Sequence, residues 1–183
     1  MNSKLQPKDK STVKMVADTD IKAGFKIGGY FTMECKDSEG NIKWVEKAHN
    51  LFTDEGLDDI LDIVFSDGAQ DSTHYVGLKG AGAPAAGDTL ASHGGWTEFA
   101  DYTGNRQAWV EAGVSSQTIT NTASPAVFPI TGAGTVAGAF IATVTSGTAG
   151  VLVCVVDFAS SRTVGSGDTL NVTYELGSQD DGV

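Results

Sequence analysis

The stretch that decides the fold class runs Val136-Ala-Gly-Ala-Phe-Ile-Ala-Thr-Val-Thr145, then Ser146-Gly-Thr-Ala-Gly150, then Val151-Leu-Val-Cys-Val-Val-Asp-Phe158. Two runs dense in β-branched and apolar residues flank a turn of small ones, the pattern of a hairpin of antiparallel strands. Working outward, the same pattern returns. Val76-Gly77-Leu78, Ala108-Trp109-Val110, Ala126-Val127-Phe128 and Leu170-Asn171-Val172-Thr173-Tyr174 are further short runs, and Gly132-Ala-Gly134 and Gly165-Ser-Gly-Asp168 are turns. The 23 glycines suit many tight turns rather than long helices. The expectation is a mainly β fold: a β-sandwich or jelly-roll-like body.

Upstream, the alternation from Lys26 to Lys36, the turn Asp37-Ser-Glu-Gly40 and the return run Asn41 to Ala48 predict a second hairpin over 26–48. Period two places Phe31, Met33 and Cys35 on its inward face, and Tyr30, Thr32, Glu34 and Lys36 on the other. One short α-helix is predicted over 54–65. Thr53 is a good N-cap, Asp54 and Glu55 favour the positive end of the helix dipole, and Ser66-Asp67-Gly68 stops it. Leu57, Ile60, Leu61 and Val64 form one apolar stripe at i, i+3, i+4 and i+7, with Asp58, Asp59 and Asp62 off it. Residues 66–74 read as a polar loop and Gly80 to Gly87 as a flexible connection of small residues. Residues 88–106 read as an irregular segment anchored by Leu90, Trp96, Phe99 and Tyr102.

The formal net charge of −11 is unevenly spread. Residues 1–50 carry nine lysines against seven acids, whereas residues 51–183 carry only Lys79, Arg106 and Arg162 against 16 acids. The first 14 residues concentrate Lys4, Lys8, Lys10 and Lys14 against Asp9 alone. Two regions follow: an extended basic N-terminal arm over 1–22, and a β-sandwich domain over 23–183 that includes the hairpin and the helix. A basic arm on an acidic body predicts that Lys4, Lys8, Lys10 and Lys14 bind a partner with an acidic surface. The acidic body repels phosphate, so no nucleic acid is expected. No apolar run approaches membrane-spanning length and the N-terminus lacks an apolar leader, so neither membrane nor secretion is expected.

Reactive groupings are few. Gly80 to Gly87 lacks the Lys-Ser/Thr ending of a phosphate loop, and Pro84 donates no N–H. His49, His74 and His93 lack the spacing of a zinc-binding helix face, and Cys35 and Cys154 read as buried free thiols rather than a disulfide. Asp37-Ser-Glu-Gly-Asn41 resembles half a calcium loop but lacks the closing bidentate Glu. No Gly-x-Ser-x-Gly elbow is present. Trp96, Phe99, Tyr102 and Trp109 offer either a carbohydrate platform or packing for the 88–106 segment. The expectation is no enzyme, no metal and no cofactor.

From Gly28 to Tyr174 the chain resembles a group of small virion structural proteins of tailed bacteriophages. The carriers are Asn50-Leu-Phe-Thr-Asp-Glu-Gly-Leu57, Tyr75-Val-Gly-Leu78, Asp88-Thr-Leu-Ala-Ser-His93 leading to Trp96-Thr-Glu-Phe99, and Asn121-Thr-Ala-Ser-Pro-Ala-Val-Phe128. Gly138-Ala-Phe-Ile141 and the stretch from Phe158 to Tyr174, with Arg162, Val164, Gly167-Asp168 and Val172-Thr-Tyr174, complete the set. The resemblance implies a particle component without enzymatic activity, on head or tail. A head decoration (cement) protein needs a rigid body, a reaching arm and many copies. On this reading the partners are the major capsid protein and copies of itself, as a dimer or trimer. The localisation is the capsid surface of the virion after synthesis in the host cytoplasm. The alternatives are a tail tube, baseplate or fibre-base component, and a carbohydrate-binding or hydrolytic module.

Overall fold

A computed structural model describes residues 25–180; the arm over 1–22, with Lys4, Lys8, Lys10 and Lys14, lies outside the described residues. In chain order the elements are β1 (Phe25–Lys36), β2 (Ile42–His49), β3 (Leu51–Phe52), α1 (Asp54–Phe65), β4 (Tyr75–Gly82) and β5 (Trp96–Phe99). There follow β6 (Gln107–Ala108), β7 (Thr118–Thr120), β8 (Ala126–Pro129), β9 (Gly134–Ala142), β10 (Leu152–Val164) and β11 (Thr169–Asp180). They build two antiparallel sheets. The first runs β2-β1-β11-β7, with β8 also on β11; the second runs β3-β10-β9-β4-β5, with β6 also on β4.

The first sheet follows the period-two reading. Phe31, Met33 and Cys35 are fully buried, while the alternate residues of β1 face outward. β1 pairs with β11 without a slip from Phe25↔Asp180 to Lys36↔Thr169. That register fixes Leu170, Val172 and Tyr174 on the same inner face, where the Tyr174 ring stacks on Phe31 at 4.3 Å. The Asp37 carboxylate closes the β1–β2 turn by accepting from the Glu39 and Asn41 N–H groups, both at 2.9 Å.

In the second sheet β9 and β10 pair as the hairpin expected from their sequence, and β10 continues to Val164. Val76, Leu78, Val136, Ala139, Ile141, Cys154 and Val156 meet the first sheet's inner side chains in the main core. The opposite face of the second sheet is buried as well. Leu90, Trp96, Phe140, Ala142, Leu152 and Val155 form a second cluster there. Burial on both faces explains why β9 and β10 read as continuous apolar runs. A Cβ on Gly77 would sit 2.2 Å from Cζ of the Phe140 ring, so only a residue without a side chain fits there.

Two readings are corrected. Residues 88–106 are not irregular throughout: Trp96–Phe99 is a strand that pairs with β4, although Leu90, Trp96, Phe99 and Tyr102 are buried anchors as expected. The flexible connection begins later than Gly80, because β4 runs to Gly82 and Gly80 is buried against Thr97. The small residues at 80 and 82 serve close strand approach, which composition alone does not distinguish from a linker.

Candidate functional site

The helix bounds follow the sequence. Thr53 Oγ1 accepts from Gly56 N–H at 3.0 Å, and the Ser66 and Gly68 N–H groups return to the Asp62 carbonyl at 2.9 and 3.0 Å. Glu55 is pinned to the body, its carboxylate accepting from the backbone N–H groups of Leu90 at 3.0 Å and Leu152 at 2.9 Å. The face that packs is the unexpected part. Gly56 is buried, and a Cβ on it would sit 2.1 Å from the Val153 carbonyl oxygen. Asp59, Ile60 and Ile63, on the same side, are half-buried.

The apolar stripe therefore divides. Ile60 turns toward the body, while Leu57 (38%), Leu61 (55%), Val64 (60%) and Phe65 (80%) remain exposed. Asp54, Asp58 and Asp62 recur every four residues beside them, giving an exposed apolar strip with an acidic row along one flank. Asp58, Asp59, Leu61, Asp62, Phe65 and Ser66 line a shallow hollow on this surface. The Asp59 pKa is raised, first by its partial burial and then by Asp71, with His74 opposing and Asp62 and Glu55 adding to the rise. The helix holds five acids and no base, and none of the ion pairs among the described residues reaches it.

The body's own cations are mostly committed elsewhere. Lys79 has no exposed side-chain surface; its ammonium donates to Asp157 at 2.6 Å and to the Gly80 and Gly82 carbonyls. Arg106 grips Glu98 in a two-pronged pair at 3.0 and 2.8 Å and donates to the Val144 carbonyl at 3.0 Å. Lys43 holds Asp168 at 2.5 Å, Arg162 holds Glu46, Lys36 holds Glu34, and Lys47 lies over the Tyr30 ring at 4.9 Å. No local pattern marks Lys79 and Arg106 as buried, because only the fold brings Asp157 and Glu98 to them.

The other candidate groupings are dispersed. His49 at the end of β2 meets Tyr30 edge-on at 5.0 Å, His74 in the loop before β4 meets Trp109 at 6.3 Å, and His93 in the β4–β5 connection stacks on Trp96 at 4.1 Å. Among the described residues no group of three or more His, Cys, Asp or Glu side chains is placed to hold a metal ion. Trp96, Phe99, Tyr102 and Trp109 are all buried and do not present a flat aromatic platform. Cys35 and Cys154 are free and buried; burial raises the first thiol to about 11 and the second to about 12, so both stay protonated near neutrality. Among the described residues no helix is long and apolar enough to cross a membrane.

No protein-family model matches the chain, and no curated protein sequence matches it.

Proposed function

We propose that the chain is a capsid decoration, or cement, protein of a tailed bacteriophage. It binds the outside of the head and bridges neighbouring major capsid protein subunits, performing no covalent chemistry. The observation that carries this reading is the partition of charge between leader and body. Five of the twelve basic residues fall in residues 1–24, whereas residues 25–180 hold seven basic and nineteen acidic residues. Most of those seven are engaged within the body.

Each part has a mechanical role. The two-sheet body, with its long β1–β11 pairing and filled core, is a stiff lobe that resists shear. Residues 1–22 act as a tether that spans up to about 70 Å when extended. Lys4, Lys8, Lys10 and Lys14 pair with acidic capsid surface, and backbone pairing at a strand edge adds affinity. Repetition around the lattice, with the chain as a dimer or trimer, multiplies weak contacts into firm attachment. The acidic body keeps crowded copies apart.

Removing residues 1–22 tests the reading by co-sedimentation with expanded capsids. The truncated chain should lose binding while its far-ultraviolet circular dichroism keeps the β signature. Decoration by the truncated chain at the full-length level contradicts it.

A further inference from the structure

We infer that the exposed strip of α1 is the docking surface for the chain's own N-terminal segment, with Val13-Lys14-Met15-Val16 lying on Leu57, Leu61, Val64 and Phe65. Lys8, Lys10 and Lys14 then face the row Asp54, Asp58 and Asp62. The inference rests on the body and the sequence and stands apart from the capsid reading.

Three observations select this occupant. The first is the surface. A helix normally buries its apolar stripe, and this one is held to the body through Gly56 and Glu55 while four large apolar side chains stay in solvent. The second is charge. The helix carries five acids, no base and no ion pair with any described cation, and Asp59 is already pushed toward protonation by its burial and by neighbouring carboxylates. The densest run of basic residues in the sequence is Lys4, Lys8, Lys10 and Lys14, interleaved with the apolar residues Leu5, Val13, Met15 and Val16. Apolar and cationic residues thus alternate on the segment where apolar and anionic ones adjoin on the helix.

The third is reach. Phe25 begins β1 four residues before Gly29, and Gly29 is bonded through both backbone groups to Asn50, with its N–H on Asn50 Oδ1 at 2.6 Å and its carbonyl on Asn50 N at 3.0 Å. Asn50 precedes the helix cap Thr53 by three residues. Followed along the chain, Leu61 lies at most about 40 Å from Phe25. Val13 lies twelve residues from Phe25, about 40 Å of extended chain, so the segment reaches the strip without displacing the body.

Such docking shields the apolar strip in the free protein and leaves the leader available to any partner that competes with α1. Zero-length carbodiimide coupling of the full-length protein, followed by peptide mass spectrometry, reads it directly. The expected products join Lys8, Lys10 or Lys14 to Asp58 or Asp62 within a monomer, at a yield independent of protein concentration. Leu61→Ser with Val64→Ser alters side chains that the body leaves exposed and should lower that yield at least fivefold while the far-ultraviolet circular dichroism keeps the β signature. Lysine couplings spread over other acids, or a yield indifferent to the double substitution, overturn the inference. Couplings found only in a dimer band, rising with concentration, overturn it in favour of a second copy as the occupant.

Discussion

The two sheets are built from similar residues and experience different surroundings. The first has one face in the core and one toward solvent, and its strands alternate: along β1, Phe31, Met33 and Cys35 are buried while Tyr30 is 44% exposed. The second is covered twice, by the first sheet on one side and by the 83–95 segment and the start of α1 on the other. Its central strand β9 is buried at every position from Val136 to Ala142. The difference teaches that the second sheet is the foundation and the first its open wall. Substitutions on the outer faces of the two sheets should therefore differ by several-fold in cost.

The largest effect is expected at Phe140, on the second sheet's outer face. It is fully buried, with the Trp96 ring at 5.4 Å and the Arg106 guanidinium at 5.2 Å. Phe140→Ala should cost about 3–5 kcal/mol in denaturant unfolding, the usual range for emptying an aromatic site. A cost under about 1 kcal/mol would mean the second layer is not a true core.

Next in size is Gly56→Ala, which drives a methyl group toward the Val153 carbonyl where the helix seats on β10. It should destabilise by about 1–3 kcal/mol, as overpacking does, and loosen α1 before the sheets. Hydrogen exchange that speeds up over 54–65 ahead of β9 is the expected pattern. Uniform acceleration would show that helix and sheet unfold as one unit.

Asp168 ties the two sheets at the turn between β10 and β11. Its carboxylate accepts from Lys43 Nζ at 2.5 Å and from Gly165 N–H at 2.7 Å. Burial pushes its pKa up, and the Lys43 and Gly165 hydrogen bonds together with the Lys43 charge outweigh that, so the net shift is downward. A depressed carboxylate stabilises the fold above its unfolded value of about 3.9 and loses that contribution as pH falls through the lower folded value. Asp168→Asn should cost about 1–2 kcal/mol at pH 7, and the difference from the parent should shrink below about pH 4. A difference that persists at pH 2 would assign the loss to packing rather than charge.

The smallest effect is expected at Tyr30, the first sheet's counterpart on its open face. Its ring meets only His49 and Lys47 among aromatic and cationic neighbours in the described residues. Tyr30→Ala should cost about 1 kcal/mol or less. Equal costs at Tyr30 and Phe140 would erase the distinction between the sheets.

Much of this architecture was legible. Alternation located the 26–48 hairpin and assigned Phe31, Met33 and Cys35 inward, because a half-solvated strand writes its environment into every second residue. Thr53, the first-turn acids and Ser66-Asp67-Gly68 fixed α1 to its observed bounds, because caps are local chemistry. What local signals do not carry is which side of an element meets the rest. The α1 stripe was visible, but the side that packs was set by Gly56, a residue that adds nothing to an apolar pattern. Trp96-Thr-Glu-Phe99 carries a weak strand signal because it is short and follows two glycines. Nothing local marks Lys79 and Arg106 as buried, because their carboxylate partners Asp157 and Glu98 lie 78 and 8 residues away in the chain.

The proposed role turns on stoichiometry, since a lattice clamp is needed wherever capsomers meet and a tail part only where the tail is. Counting copies per virion by quantitative mass spectrometry, against the major capsid protein as internal standard, decides between them. A capsid clamp requires hundreds of copies per particle in fixed proportion to the shell subunit. A few dozen or fewer would place the chain in the tail and contradict the account.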